Sequence, residues 1–174
     1  MASDFDRLDA DALRGVLADF AKNWLAHDGL WFQAVEKAHG MGPAMDADAE
    51  AWGRFAGIEA RRIKKRHGIP DGGGLDALEE ALRWRMYAVL NDQAAERIDE
   101  NTLRFRMIGC RVQEARDRKG MEPFPCQPVG IVEFTSFARE VDPRIATTCV
   151  TCPPDEHHAG TWCCWEFTIP ADGR

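Results

Sequence analysis

Hydrophobic residues in the first half of the chain recur every three or four positions, the spacing of one face of a helix. The first such stripe consists of Leu13, Val16, Leu17, Phe20, Trp24 and Leu25. With Asp9 as its N-cap, this stripe predicts a helix over 9–26. A joint at 27–29 follows, after which the same spacing resumes at Leu30 and predicts a second helix as far as Gly40.

Two further helices are predicted before residue 92. One begins after Met45 and ends in the cationic run 61–67, whose charges suit the negative end of a helix dipole. The stretch 69–74 contains a proline and three consecutive glycines and predicts a loop. The other helix runs from Leu75 to about Leu90.

After Asn91 the hydrophobic spacing changes to every second position, which is typical of a half-buried strand. Leu103, Phe105 and Met107 alternate with two arginines. A shorter run at 95–99 completes a predicted hairpin. The remaining predicted elements are helices at 111–119 and 129–140 and strands at 144–151 and 161–169.

Helices followed by strands predict an α+β fold, in which N-terminal helices pack on one face of a small antiparallel sheet formed by the C-terminal half. The length of 174 residues suits one compact domain. We therefore expect a single domain over 1–174, with a helical part at 1–92 and a cysteine-rich α+β part at 93–174.

Charge and hydropathy limit the classes of partner. The net charge is -7 and 45% of the residues are hydrophobic. An acidic chain without a basic arm is poorly suited to nucleic acid or to an anionic membrane surface. The sequence has no signal-peptide pattern, and no apolar stretch approaches about 18 residues, so we expect a cytoplasmic protein.

All six cysteines lie between Cys110 and Cys164. In a reducing compartment such clustering indicates metal binding, redox chemistry or buried thiols before it indicates a disulfide framework. The most specific feature is the Cys149-x-x-Cys152 pair, because a turn between the two residues brings both sulfurs to one zinc ion.

A third thiolate comes from the predicted strand 161–169, where alternation puts Cys163 on the apolar face and Cys164 on the other. The candidates for the fourth ligand are Cys110, Cys126, His157 and His158. We expect a structural zinc ion, with an iron–sulfur cluster as the alternative cofactor. The predicted metal ligands are Cys126, Cys149, Cys152 and Cys163.

Two other interpretations of the thiols stay open. Free cysteine is among the most buried residue types and behaves as a small hydrophobe, so the thiols can be core residues. The CxxC pair can also be a redox dithiol, but that motif belongs at a helix N-terminus. The segment after Cys152 is too short and polar to form such a helix.

A ligand pocket is predicted at the joint between the first two helices. His27 supplies a polar group there, Asp28 can orient its ring, and Trp31 supplies an aromatic wall. Cys110 and Arg116 are assigned to the same pocket, the arginine because a guanidinium can fork onto a ligand carboxylate. The alternative for a lone histidine on an apolar helix is a place in the core.

Several segments resemble a family of small, uncharacterised prokaryotic cytosolic proteins. They lie at 27–32, 110–116, 123–126, 137–144 and 149–167. A more distant similarity is to L-2-amino-thiazoline-4-carboxylate hydrolase-like domains and to four-vinyl-reductase domains, with matching positions at Cys110, Cys126 and Cys163. That resemblance implies an α+β fold that binds small hydrophobic molecules or acts as a sensor.

Together these observations predict a metal-binding, small-molecule-binding or sensor module. The alternative is a thiol- or metal-dependent hydrolase of a small cyclic amide or thiazoline-like compound, with Cys110 or a metal-bound water as the nucleophile. The expected partner in both cases is a small-molecule ligand, and the sequence leaves the oligomeric state open.

Overall fold

The computed structural model describes residues 3–156 and 160–171. Two short 3-10 helices, Asp4–Arg7 and Met86–Val89, accompany the regular elements. In chain order those elements are α1 (Ala10–His39), α2 (Met41–His67), α3 (Gly74–Leu82), β1 (Gln93–Asp99), β2 (Thr102–Met107), α4 (Arg111–Arg118), α5 (Gln127–Val141), β3 (Ala146–Thr151) and β4 (Cys163–Thr168).

The first helix is longer than the sequence predicts. Asp9 caps α1 as expected, since its side chain accepts a hydrogen bond from the backbone N–H of Ala12 at 2.8 Å. The helix then continues through 27–29, so the predicted joint is wrong. A glycine inside a helix costs only about 1 kcal/mol, less than the several hydrogen bonds that a break would lose. No residue of α1 is buried.

The helix predicted over Leu75 to about Leu90 is also wrong in its second half. It ends at Leu82, and a short 3-10 helix occupies Met86–Val89 instead. The change of path turns the Arg85 side chain inward to two buried carboxylates. A tertiary ion pair therefore overrides the helical spacing of this segment.

The four strands form one antiparallel sheet in the order β1-β2-β4-β3. β1 and β2 make the predicted hairpin, and β4 pairs with both β2 and β3. In this register Leu103 lies opposite Phe167 and Phe105 lies opposite Trp165, all on the inner face. The predicted α+β fold, with a small antiparallel sheet from the C-terminal half, is confirmed.

The core lies between the inner face of the sheet and α2, α3 and α5. Phe137 of α5 and Phe167 of β4 are fully buried, and Trp165 is 1% exposed. At Gly130 a Cβ atom would come within 2.7 Å of the Trp165 indole, so only glycine lets α5 approach the sheet this closely. This contact holds the start of α5 against β4 and positions the residues described next.

Within residues 3–156 and 160–171, no helix combines the length and the apolar character that a membrane span needs.

Candidate functional site

A cavity of about 470 Å³ lies between α1, α4, α5 and the inner face of the sheet. Its volume is typical of sites for small organic ligands. Exposed residues of α1 and α4 surround the mouth, namely Lys22, Ala26, Leu30, Arg111, Arg118 and Lys119. The inner part carries two chemically distinct surfaces, one of thiols and one of carboxylates and aromatic rings.

The first surface, here named the thiol wall, consists of Cys110, Cys126, Cys152 and Cys163. The Sγ atoms of Cys126 and Cys152 lie 3.4 Å apart. Cys152 also shares a hydrogen bond with Cys163. The end of β3, the start of α5 and β4 thus bring together thiols that are distant in sequence.

Two side-chain N–H groups donate to sulfurs of the thiol wall. Trp165 Nε1 donates to Cys163 Sγ at 3.3 Å, and Gln113 Nε2 approaches Cys126 Sγ at 3.6 Å. The hydrogen bond from Cys152 and then that from Trp165 lower the pKa of the Cys163 thiol, against the opposing effect of burial. Hydrogen bonds with Cys126 and Cys163, followed by burial, raise the pKa of Cys152. Of the hydrogen-bonded pair Cys152 and Cys163, Cys163 is therefore the thiol that ionises more readily.

The other cysteines differ in environment. Burial raises the pKa of Cys110 to about 12, so the prediction that Cys110 is the nucleophile loses its chemical basis. Cys149 does not line the cavity and accepts a hydrogen bond from Gln127 Nε2 at 3.5 Å. Cys164 lies opposite Arg106 on the outer face of the sheet, as alternation predicts.

The predicted zinc site has no support from the arrangement of the described side chains. Among them, no group of three or more His, Cys, Asp or Glu side chains is placed to hold a metal ion. Of the four predicted ligands, Cys126, Cys152 and Cys163 meet in the thiol wall, whereas Cys149 is directed to Gln127. His157 and His158, considered as fourth ligands, lie outside the described residues.

The second surface, here named the acidic wall, consists of Asp28 of α1, Asp48 of α2 and Glu133 of α5. Burial is the main cause that raises the pKa of all three carboxyl groups. The pKa of Asp48 reaches about 7, because the charges of Asp28 and Glu133 add to the effect of burial. A hydrogen bond with the Trp52 side chain opposes this shift.

Behind the acidic wall, Arg85 joins two buried carboxylates. Its Nε donates to Glu59 at 3.0 Å and its Nη2 donates to Glu133 at 2.6 Å. The guanidinium also lies 4.7 Å from the ring centroid of Phe137. Only 2% of Arg85 is exposed. The one charge of Arg85 is thus shared by two carboxylates and lies outside the cavity lining.

Aromatic rings complete the inner end of the cavity. Trp52 and Tyr87 are stacked, with ring centroids 5.6 Å apart and an angle of 22° between the planes. Trp24 meets both rings edge-on at 6.0 and 5.7 Å. Trp52 and Tyr87 line the cavity together with Asp48, so the carboxylates and the aromatic rings border the same part of the cavity.

Two of the residues predicted for the ligand pocket lie elsewhere. Because α1 is continuous, His27 and Trp31 fall on its solvent side, and Trp31 is 68% exposed. Their assignment to the pocket is corrected accordingly. Asp28 and Cys110 do line the cavity. Arg116 lines it as well, but its guanidinium forks onto both oxygens of Glu36 at 3.2 Å instead of facing a free ligand carboxylate.

Sequence reasoning missed most of the acidic wall. Glu133 carried a usable signal, because an acidic residue within the apolar segment 129–134 requires a buried partner. Arg85 offered no comparable signal, since the segment 83–87 mixes charged and large apolar residues without a clear pattern. Asp48 gave no signal of burial either, because it lies among alanines and acidic residues that are typical of the exposed start of a helix.

The fold and the site together define an α+β protein with an internal cavity bounded by thiols and carboxylates. The chain belongs to the Family of unknown function (DUF6125), whose sequence profile matches residues 6–169. No curated protein and no solved structure matches it. The distant similarity to thiazoline-carboxylate hydrolase-like and four-vinyl-reductase domains therefore stays a prediction.

Proposed function

We propose that this protein binds a small organic molecule in the cavity between α1 and α4. The observation that carries the proposal is the cavity itself, about 470 Å³ in volume, open at one side and lined mainly by apolar atoms. Its wall includes faces of Phe32, Phe124 and Trp52 together with a few polar groups. Such a combination supplies hydrophobic affinity and a fixed orientation for a ligand.

Gly29 allows a direct test. It lines the cavity, and a Cβ atom there would have only Gln33 Nε2 as a neighbour, at 4.0 Å. A Cβ atom therefore fits at this position, and we expect the rest of a leucine side chain to take up part of the space that Gly29 lines. We expect Gly29→Leu to weaken binding of the neutral fluorophore N-phenyl-1-naphthylamine at least about tenfold, that is by about 1.4 kcal/mol or more. Fluorescence titration measures this change.

Gly15 provides the matched control. It lies in the same helix, away from the cavity, and a Cβ atom there meets nothing within 4 Å. Both substitutions replace a helical glycine and should stabilise α1 by roughly 0.5 to 1 kcal/mol. We expect Gly15→Leu to bind the fluorophore as the wild type does. Equal affinity for all three proteins, or no binding by the wild type, contradicts the proposed function.

A second candidate function is supported by the contacts of Cys163. A thiol-dependent hydrolase needs a thiolate nucleophile and a nearby proton donor. Cys163 accepts hydrogen bonds from Trp165 and from Cys152 and lines the cavity. In this mechanism its sulfur attacks the electrophilic carbon of a cyclic amide or thiazoline-like compound. The carbon–nitrogen bond then breaks, and Cys152 gives its proton to the leaving nitrogen. Water cleaves the resulting thioester, which frees the Cys163 thiolate and returns a proton to Cys152.

Selective alkylation tests the second candidate. With limiting iodoacetamide near neutral pH, we expect Cys163 to react first, because the thiolate is the reactive form. Cys152→Ala removes a hydrogen-bond donor and should slow that reaction several-fold, whereas Cys164→Ala, on the outer face, should not. Peptide mass spectrometry identifies the modified residue. Preferential labelling of another cysteine rules out Cys163 as the activated nucleophile.

A further inference from the structure

We propose that the ligand of this cavity carries a positively charged amine, held by Asp28 and Asp48 next to Trp52 and Tyr87. The inference rests on the proposed function, since it names the chemical class that the same cavity selects. The acidic residues alone do not define the site. Their position inside a ligand-sized cavity and the negative balance of charge at its inner end distinguish them from an ordinary cluster of surface carboxylates.

The balance of charge at the inner end is negative. Three carboxylates form the acidic wall, and the guanidinium of Arg85 behind it is already divided between Glu59 and Glu133. Among the ion pairs of the described residues, none joins Asp28 or Asp48 to a lysine or an arginine. Two carboxylates therefore face the cavity without a permanent cation of the protein beside them.

The aromatic rings favour the same class of ligand. A cation over the face of a tryptophan or tyrosine ring is attracted by the negative potential of that face, and the attraction grows when water is excluded. Trp52 and Tyr87 line the cavity together with both carboxylates. The two rings stack on each other and the Arg85 guanidinium lies 5.9 Å from both ring centroids, so an amine in the cavity meets only the parts of the rings that these contacts leave uncovered. The ion pair with Asp28 and Asp48 is therefore the main attraction, and the same two charges repel a ligand carboxylate.

The mouth of the cavity has the opposite sign, which fixes the orientation of the ligand. Lys22, Arg111, Arg118 and Lys119 are exposed there, and their charges are screened by water and salt. The acidic wall lies deeper, where screening is weaker. The amine of the ligand therefore points inward, and its apolar body lies along Phe32 and Phe124 toward the mouth.

Binding of the amine should depend on pH, because the cation favours the ionised form of the acidic wall. The titratable and charged groups around Asp48 and its partners come from every adjoining element. On α1 they are Asp28 and its exposed neighbour His27, whose charge acts on Asp28 from the solvent side. The others are Glu59 of α2, Arg85 and Tyr87 after α3, Cys110 before α4 and Glu133 of α5. Between pH 6 and pH 8 Asp48 loses its proton. The amine should bind more tightly at the higher pH.

Three naphthalene derivatives of similar shape test the inference. They are 1-naphthylmethylamine, 1-naphthalenemethanol and 1-naphthoate, which differ mainly in charge. Each displaces N-phenyl-1-naphthylamine from the wild-type protein in a competition titration at pH 8. We expect the amine to bind at least about tenfold more tightly than the alcohol, and the naphthoate to bind most weakly.

Asp48→Asn and Asp28→Asn should each reduce the affinity for the amine about tenfold and leave the alcohol unchanged. Asp46→Asn, an exposed position on the same helix, is the control and should change neither. The pH dependence of amine binding should disappear in Asp48→Asn. Equal affinities for amine and alcohol overturn this inference but leave the proposed function standing, whereas failure of the fluorophore to bind the wild type overturns both.

Discussion

Replacing Arg85 with methionine should lower the free energy of unfolding by about 3 to 5 kcal/mol, because breaking a buried ion pair leaves an uncompensated charge in the interior. Arg85 is 2% exposed, and the carboxylates of Glu59 and Glu133 both depend on it. Methionine fills much of the same volume as arginine. The decrease in the free energy of unfolding is therefore due to the missing charge more than to a cavity in the core. Guanidinium chloride unfolding at pH 7 measures the change.

Arg83→Met is the matched control, two residues away. Arg83 pairs with Glu79 at 2.7 Å, but its side chain is 62% exposed. Exposed pairs of this kind contribute about 0 to 1 kcal/mol, so the control should unfold almost as the wild type does. Glu59→Gln and Glu133→Gln added to Arg85→Met should restore part of the stability. A small effect of Arg85→Met would mean that water reaches both carboxylates.

Asp48→Asn should stabilise the protein at pH 8 and leave it unchanged near pH 4. The pKa of Asp48 rises in the folded state from 3.8 to about 7. Between these values the folded protein holds a proton that the unfolded chain has lost, so this carboxyl group makes stability fall as the pH rises from about 4 to about 7. Asparagine approximates the protonated form and can still accept the Trp52 hydrogen bond.

We expect a gain of about 2 kcal/mol at pH 8, since one pKa unit corresponds to about 1.4 kcal/mol and partial exposure of Asp48 reduces the full value. Thermal or denaturant unfolding at pH 4, 6 and 8 follows the trend. Asp46→Asn is exposed and should stay within about 0.5 kcal/mol of the wild type at each pH. A pH-independent difference between Asp48→Asn and the wild type would contradict the raised pKa.

The predictions for Arg85→Met and Asp48→Asn concern the same region of the protein, but the first variant should lose stability and the second should gain it. Arg85 stabilises the fold by compensating two largely buried carboxylates, whereas Asp48 destabilises it by adding a charge nearby. A charge that reduces stability is typical of a functional site. The stability gained in Asp48→Asn and the affinity for an amine lost in the same variant should therefore appear together.

Much of the fold could be predicted from hydrophobic spacing. The alternation of Leu103, Phe105 and Met107 located β2 and the side of the sheet that forms the core, and the same rule placed Cys163 inward. The errors occurred where tertiary contacts override local signals. Gly29 did not break α1, and the ion pairs of Arg85 ended a helix that its spacing would have continued.

The candidate site was predicted only in part, for a physical reason. Cysteines are rare enough that clustering in the sequence points to clustering in space, and Cys126, Cys152 and Cys163 do meet. Carboxylates are common on exposed helices, so Asp48 and Glu59 could not be told from solvated residues. Only their burial against α5 reveals them, and that depends on how α2 packs rather than on any local pattern.

The outer side of the cavity is α1, a helix of 30 residues with none of them buried. Its contacts with the core come from partly buried side chains such as Trp24 and Phe32, so we expect its detachment to require less free energy than global unfolding. A molecule lodged between this helix and α5 supplies contacts that the unliganded protein lacks. Binding of the proposed ligand and docking of α1 would then be linked equilibria, in which each makes the other more favourable.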